Sequence, residues 1–158
     1  MNKQAHIQVM DQHRGSSEIV TVHQMAETAP WKLSLAERVP EVKGEGFDLK
    51  SWYRHWRDSR STVETQEEPT HLKVEAVDEF QALIPWAELD QALILYAQNG
   101  EPLQKGFPIR LYVPNGSSEC LNVKSVIKIS FLYDQNLGNE ATYGYKNAVT
   151  VEEMKFKK

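Results

Sequence analysis

The chain has 158 residues with a formal net charge of -4, and 41% of its residues are hydrophobic. This length and composition are typical of one globular domain, which excludes extensive disorder and a fibrous architecture. The negative charge gives no general attraction for nucleic acid or an anionic membrane surface, and no segment reaches the roughly 20 apolar residues of a membrane-spanning helix, so we predict neither kind of partner.

The N-terminal segment is predominantly polar. We predict that residues 1–17 form a flexible N-terminal arm ahead of a single domain over residues 18–158. Thr21 is followed three residues later by Gln24, the spacing of a capping box in which each side chain satisfies a free backbone N–H group. This spacing predicts a short helix over residues 22–28.

A strand and a helix are predicted next. Residues 31–39 alternate between apolar and polar side chains, and this period of two predicts a half-buried strand. Asp48 can cap a helix that begins after it. The apolar residues of that helix recur at the spacing of one helical face, and they are Leu49, Trp52, Tyr53 and Trp56. We expect this aromatic face to pack on the core.

The middle of the chain predicts a hairpin. Residues 72–84 contain two short apolar runs separated by Asp78 and Glu79. Pro85 then predicts a helical turn, since the N–H group that proline lacks has no partner in the first turn of a helix. The apolar residues 93–97 fit either a buried strand or a continuation of that helix.

Two further strands are predicted, over residues 109–113 and 123–133. We expect one core to bury six apolar side chains from these elements: Trp52, Trp56, Leu83, Leu111, Ile127 and Ile129. Strands and short helices in irregular order predict an α+β fold, with a mixed β-sheet core and short helices.

Generic catalytic motifs are nearly absent. The five histidines include no pair at the i, i+4 spacing of a helical metal site. Arg54, Arg57 and Arg60 could present guanidinium groups to an anion, but the charged outer face of an amphipathic helix explains the same spacing. The single cysteine, Cys120, lies beside Glu119, whose negative charge disfavours a thiolate. One cysteine also excludes an internal disulfide, which favours a cytoplasmic protein.

The most informative segment of the chain lies between residues 71 and 133. It contains, in this order, Asn99-Gly100-Glu101-Pro102-Leu103, Gly106-Phe107-Pro108-Ile109-Arg110-Leu111-Tyr112-Val113-Pro114 and Val123-Lys124-Ser125-Val126-Ile127-Lys128-Ile129. These motifs resemble the molybdopterin-binding domain of the sulfite oxidase family, as does the upstream run Gly46-Phe47-Asp48-Leu49-Lys50-Ser51-Trp52-Tyr53. The resemblance implies the fold of that domain, with molybdopterin as the family's cofactor.

Two basic residues of this segment are the predicted anion-binding residues. Arg110 lies in an otherwise apolar strand and needs an acidic or phosphate partner if it points inward, and Lys124 could share that partner. Because family residues that match this region help to hold the phosphate of the pterin, the resemblance assigns cofactor binding to Arg110 and Lys124. The alternative is an ion pair between Arg110 and a surface carboxylate such as Glu101.

The sequence departs from the family where the metal is held. The family's molybdenum is bound by a cysteine thiolate ahead of the helix that matches residues 49–56, whereas residues 36–44 contain no cysteine. Cys120 lies far downstream and does not match that ligand by position, and Lys105 stands where the family often has histidine. Since such a centre requires a soft thiolate, we predict no metal ligand and no catalytic residue. We expect no bound cofactor, and the resemblance keeps molybdopterin as the alternative.

Three functions follow from these predictions. The first is a non-redox ligand-binding or interaction module, which takes a small anionic ligand or a protein partner. The second is a molybdopterin-dependent oxidoreductase, or a subunit of one, in which Cys120 or a partner completes the site. The third is a purely structural module, whose pocket is filled by its own side chains.

Overall fold

A computed structural model of the chain describes residues 5–60 and 67–146. These residues form a six-stranded sheet, a five-stranded sheet and two short α-helices, which confirms the predicted α+β fold with a mixed sheet. Over the same residues, no helix is both long and apolar enough to cross a membrane.

The six-stranded sheet contains strands from both ends of the chain. Its members are β1 (His6–Asp11), β2 (Ser16–Thr21), β5 (His71–Ala76), β6 (Phe80–Pro85), β10 (Val126–Leu132) and β11 (Thr142–Tyr145). They lie in the order β11-β6-β5-β10-β1-β2, and β1 runs parallel to β10 while the other neighbours are antiparallel. The antiparallel pair β5 and β6 is the predicted hairpin.

The structure differs from the predicted flexible arm over residues 6–17. Strand β1 lies inside the sheet, hydrogen-bonded to β10 on one side and to β2 on the other. Ile7 and Val9 are buried in the core, and their period of two supplies an apolar face although the surrounding residues are polar. The extent of the predicted domain, residues 18–158, therefore leaves out a strand of its own sheet.

The five-stranded sheet carries the segments that border the candidate site. Its members are β3 (Lys32–Ser34), β4 (Glu45–Asp48), β7 (Leu93–Gln98), β8 (Glu101–Pro102) and β9 (Arg110–Tyr112). Strand β7 pairs with β4, β8 and β9, so the apolar run 93–97 is a strand and not a helix. Asn99 and Gly100 both have positive φ, as a tight turn between β7 and β8 requires.

The strand predicted over residues 31–39 is much shorter than expected. Only Lys32–Ser34 is extended, and a 3-10 turn over Leu35–Glu37 follows because the Glu37 carboxylate accepts a hydrogen bond from the Ser34 N–H group at 2.9 Å. Trp31 remains 53% exposed. The alternation of the sequence continues past residue 34, but the capped turn ends the strand there.

Both predicted helices are present. Helix α1 (Val22–Thr28) begins with the predicted capping box of Thr21 and Gln24. Helix α2 (Leu49–Arg60) begins after Asp48, whose Oδ2 accepts a hydrogen bond from the Ser51 N–H group at 2.9 Å. Its aromatic face contacts both sheets, through Phe47 of β4 and Phe131 of β10.

Four of the six side chains predicted to be buried are buried, namely Trp52, Trp56, Leu111 and Ile129. Leu83 is half-buried and Ile127 is 39% exposed. A register shift between Val126 and Lys128 interrupts the alternation of β10 and turns Ile127 outward. The prediction is therefore wrong for Ile127, because periodicity alone does not locate a bulge.

Candidate functional site

The two predicted anion-binding residues come from neighbouring backbone segments. The Leu111 N–H group donates to the Val123 carbonyl and the Val126 N–H group donates to the Ile109 carbonyl, each at 2.9 Å. These two hydrogen bonds enclose Arg110 on one segment and Lys124 on the other.

The side chain of Arg110 is positioned by a glycine and an aromatic ring. A Cβ atom on Gly106, which has a φ of +81°, would lie 2.4 Å from the Arg110 Cδ atom, so the arginine stem occupies the space above the glycine. The Arg110 Cζ atom lies 5.1 Å from the centre of the Tyr112 ring, within the range of a cation–π contact. The guanidinium group is thus held in place without a charged partner.

Arg110 differs from the other arginines in its electrostatic environment. The chain has six arginines, and five of them form ion pairs: Arg14 with Asp11, Arg38 with Asp48, Arg54 with Glu68, Arg57 with Asp58 and Glu68, and Arg60 with Glu18. Within the described residues, Arg110 forms no ion pair, and Glu101 does not approach it as the alternative prediction required. Its positive charge remains available to a ligand.

Lys124 borders a cavity of about 200 Å³. The other lining residues are Asp78, Phe80, Cys120, Asn122, Val123 and Tyr145. Arg110 does not line this cavity. Cys120 is exposed on a 3-10 turn whose N-terminal residue, Ser118, accepts a hydrogen bond from the Cys120 N–H group at 3.1 Å. Cys120 and Lys124 therefore line the same cavity.

A second and larger cavity, of about 290 Å³, lies on the Tyr112 side of the same region. One wall is formed by residues 38–41 and the other by Tyr112, Pro114, Asn115 and Asn122. Asn122 lines both cavities, and its Oδ1 atom accepts a hydrogen bond from the Val113 N–H group at 2.7 Å. Lys124 thus lines the smaller cavity. Arg110 lines neither cavity, but it contacts Tyr112, which lines the larger one.

Arg38, which no sequence motif singles out, is a buried cation in the wall of the larger cavity. Its Nη1 atom donates to Asp48 Oδ1 at 2.7 Å and to the Gln91 carbonyl at 3.1 Å, and its Cζ atom lies 4.6 Å from the centre of the Trp31 ring. The only signal in the sequence was a basic residue in the 36–44 segment, the segment in which the family carries its metal ligand.

The donor atoms near this site do not fit a thiolate-held molybdenum centre. Residues 36–44 supply no sulfur atom, and an arginine in an ion pair occupies the cavity wall there. Across residues 5–60 and 67–146, no group of three or more His, Cys, Asp or Glu side chains is arranged to hold a metal ion. No reaction step through a metal therefore follows from the geometry.

The three arginines of helix α2 have structural partners. Arg57 is buried, and its Nη1 atom donates to the Glu67 carbonyl at 2.9 Å and to Glu68 Oε2 at 3.3 Å. Arg54 also contacts Glu68, and Arg60 makes a bidentate contact to Glu18. These ion pairs attach the helix to neighbouring segments and leave no anion site on it.

A buried polar cluster that the sequence did not predict joins helix α2 to strands β1 and β10. The hydroxyl groups of Tyr53 and Tyr133 lie 2.6 Å apart, and the Tyr53 hydroxyl donates to the buried carboxylate of Asp11 at 3.4 Å. Burial, followed by the hydrogen bond with Tyr133, raises the pKa of Tyr53 well above its ordinary value. Tyr53 is therefore a neutral structural donor.

The comparison with known families agrees with the motifs between residues 99 and 129. The family model described as the oxidoreductase molybdopterin binding domain matches residues 17–139, a range that contains both Arg110 and Lys124. No curated protein and no solved structure matches the chain significantly. Since the match spans most of the chain, the protein belongs to the oxidoreductase molybdopterin-binding domain family.

Proposed function

We propose that this chain is a non-redox ligand-binding module of its family, and that Arg110 binds the anionic group of a small ligand. The proposal depends on one observation. Among the described residues, Arg110 has no carboxylate partner, whereas each of the other five arginines has one. A guanidinium group that is held by packing and not by an ion pair is prepared for a phosphate or carboxylate.

Two further features support an anion near Arg110. Gly106 allows the arginine stem to lie against the backbone, and the Tyr112 ring orients the guanidinium group. Lys124 adds a positive charge at the adjoining cavity, which Asp78 also lines, and no described carboxylate forms an ion pair with Lys124. A phosphate-bearing compound, molybdopterin included, fits this chemistry, and so does a simple organic acid.

The proposal is tested by measuring the binding of inorganic phosphate with isothermal titration calorimetry. Arg110→Met keeps most of the aliphatic stem and removes the charge. We expect it to weaken phosphate binding by about 10- to 100-fold, the effect of losing one charge-assisted hydrogen bond. The free energy of unfolding should fall by no more than about 1 kcal/mol, because the cation–π contact with Tyr112 is lost but no ion pair is broken.

Arg54→Met is the matched control, since Arg54 is a more exposed arginine whose partner is Glu68. It should leave phosphate binding unchanged. Raising the ionic strength from about 0.01 M to 0.15 M shortens the Debye length from about 30 Å to 8 Å and should weaken binding to the parent protein. Equal affinities of the parent and Arg110→Met would refute the anion site, and a large stability loss without any phosphate binding would show that Arg110 is structural.

A second candidate function, a molybdopterin-dependent oxidoreductase or a subunit of one, is favoured by the cavity that Cys120 shares with Lys124. The thiol of Cys120 is a candidate soft ligand, although it does not occupy the family's position. Under the first proposal, protein purified from a molybdenum-replete host carries well under one molybdenum per chain. Elemental analysis that finds a near-stoichiometric amount, lost in Cys120→Ser, would establish the second function instead.

A further inference from the structure

We propose that the larger cavity, between residues 38–41 and Tyr112–Asn122, binds a small zwitterion of the α-amino acid type. This site goes beyond the anion site of Arg110, because Arg110 does not line the cavity. Three observations support it: both walls carry unused hydrogen-bond donors, an unused carboxylate lies at the rim of the 38–41 wall, and the charged groups of the cavity carry a net negative charge.

Arg38 supplies the first donor. Its three hydrogen bonds, to Asp48, Gln91 and Ala92, all use the Nη1 atom. Within the described residues, Nε and Nη2 have no partner, although the side chain is only 7% exposed and lines the cavity. These two nitrogen atoms keep some access to solvent through the cavity, so their N–H groups are free to donate to a ligand bound there.

Tyr112 and Asn122 add two more donors to the same cavity. Tyr112 is 5% exposed, and its hydroxyl group has no hydrogen-bond partner among the described residues. Its pKa is raised by burial, which keeps the hydroxyl protonated as a donor. Asn122 uses its Oδ1 atom to accept from the Val113 N–H group, so its amide nitrogen remains for a ligand. Three donors that converge on one cavity suit the oxygen atoms of a carboxylate.

Glu41 supplies the complementary acceptor. Its side chain is exposed at the rim of the cavity, and no described residue forms an ion pair with it. A free carboxylate so placed favours an ammonium group. It also disfavours a simple anion, since the charge of Arg38 is already balanced by Asp48 and the three groups together carry a net negative charge.

A zwitterion meets both requirements at once. Its carboxylate faces Arg38, Tyr112 and Asn122, while its ammonium group faces Glu41. Val39, Pro40 and Pro114 provide an apolar surface for a side chain. The volume of about 290 Å³ is at the lower end of ligand cavities, which run from about 300 to 1,000 Å³, and it suits a molecule of amino-acid size.

The experiment is calorimetric titration of the full chain with alanine, leucine and glutamine, and with acetate and methylamine as singly charged analogues. We expect saturable binding of at least one amino acid, and binding of both analogues weaker by about tenfold or more, since each lacks one charge-assisted contact. Failure of all three amino acids to bind at millimolar concentration, or equal binding of acetate, would overturn the proposal.

Two variants test the site without disturbing the buried Arg38–Asp48 pair. Glu41→Gln removes the exposed carboxylate, and Tyr112→Phe removes only the hydroxyl group. Each should weaken amino acid binding by about fivefold or more with an unchanged melting temperature, whereas Glu140→Gln, an exposed carboxylate outside the cavity, should have no effect. Unchanged affinity in both cavity variants would overturn the assignment.

The two proposed sites can be tested independently of each other. Arg110→Met should weaken phosphate binding by about 10- to 100-fold and retain amino acid binding, whereas Glu41→Gln should weaken amino acid binding by about fivefold or more and retain phosphate binding. Loss of both activities in Arg110→Met with an intact fold would show that the ligand occupies a single site centred on Arg110, and it would overturn a separate zwitterion site.

Discussion

At the scale of single residues, the environment of Arg110 depends on the absence of a side chain at position 106. Gly106 has a φ of +81°, a conformation in which other residues are strained, and its Cα hydrogen faces the arginine stem. Gly100 has a similar φ of +76° but nothing within 4 Å of where a Cβ atom would be. Comparing substitutions at the two glycines therefore distinguishes the effect of backbone strain from the effect of a clash with a neighbouring side chain.

We expect Gly106→Ala to displace Arg110 and Gly100→Ala to leave it in place. Both variants should lose about 1–2 kcal/mol of unfolding free energy from the left-handed backbone. Only Gly106→Ala should also weaken phosphate binding, because the new methyl group would lie 2.4 Å from Arg110 Cδ. Denaturant unfolding and calorimetry on the same samples check this, and equal phosphate affinities in the two variants would contradict it.

At the scale of elements, the sequence predicted best those segments whose signals are local. The Thr21–Gln24 capping box and the aromatic face of helix α2 were visible as short spacings, and both formed. The strand predicted over residues 31–39 is too long, because hydrophobicity does not set its end. The strand ends where the Glu37 carboxylate accepts a hydrogen bond from the Ser34 N–H group. For the candidate site, the sequence proposes Arg110 and Lys124, and their role in binding stays a prediction. It does not predict the two cavities, since these depend on contacts between distant segments.

Strand β1 gives the clearest test at this scale. Because it is hydrogen-bonded to strands on both sides, we expect the backbone amides of residues 7–10 to exchange with deuterium as slowly as those of β10. Hydrogen-exchange mass spectrometry resolves the N-terminal peptide from the rest. Exchange of these amides at the rate of an unstructured peptide would restore the flexible arm that composition alone predicts.

At the scale of the whole molecule, the Tyr53 cluster links folding stability to pH. The pKa of Tyr53 is raised by burial and by the hydrogen bond with Tyr133, while in the unfolded chain a tyrosine titrates near its ordinary value of 10.0. The unfolded state therefore releases this proton first. Its contribution to stability is complete below about pH 10 and is lost as the pH rises further.

We expect the free energy of unfolding to fall between pH 9 and pH 11, and to fall less in Tyr53→Phe. The parent should lose about 1.4 kcal/mol more than Tyr53→Phe over this interval, because the unfolded state releases about half a proton on average between pH 9 and pH 11. Urea unfolding at both pH values measures it. Tyr143→Phe, a change at a tyrosine that is 47% exposed, should keep the slope of the parent, and an unaltered slope in Tyr53→Phe would contradict the role of the buried hydroxyl.

The parallel pairing of β1 with β10 also bears on the order in which the molecule assembles. Val9 lies opposite Ile129, so partners about 120 positions apart in sequence must meet before the centre of the sheet exists. At a synthesis rate of about 5–20 residues per second, β1 waits roughly 6 to 24 seconds for its partner. Until then the β1–β2 hairpin has an unpaired edge at β1, the strand that contains Ile7 and Val9. Chaperones would therefore need to protect the nascent chain more than the finished protein.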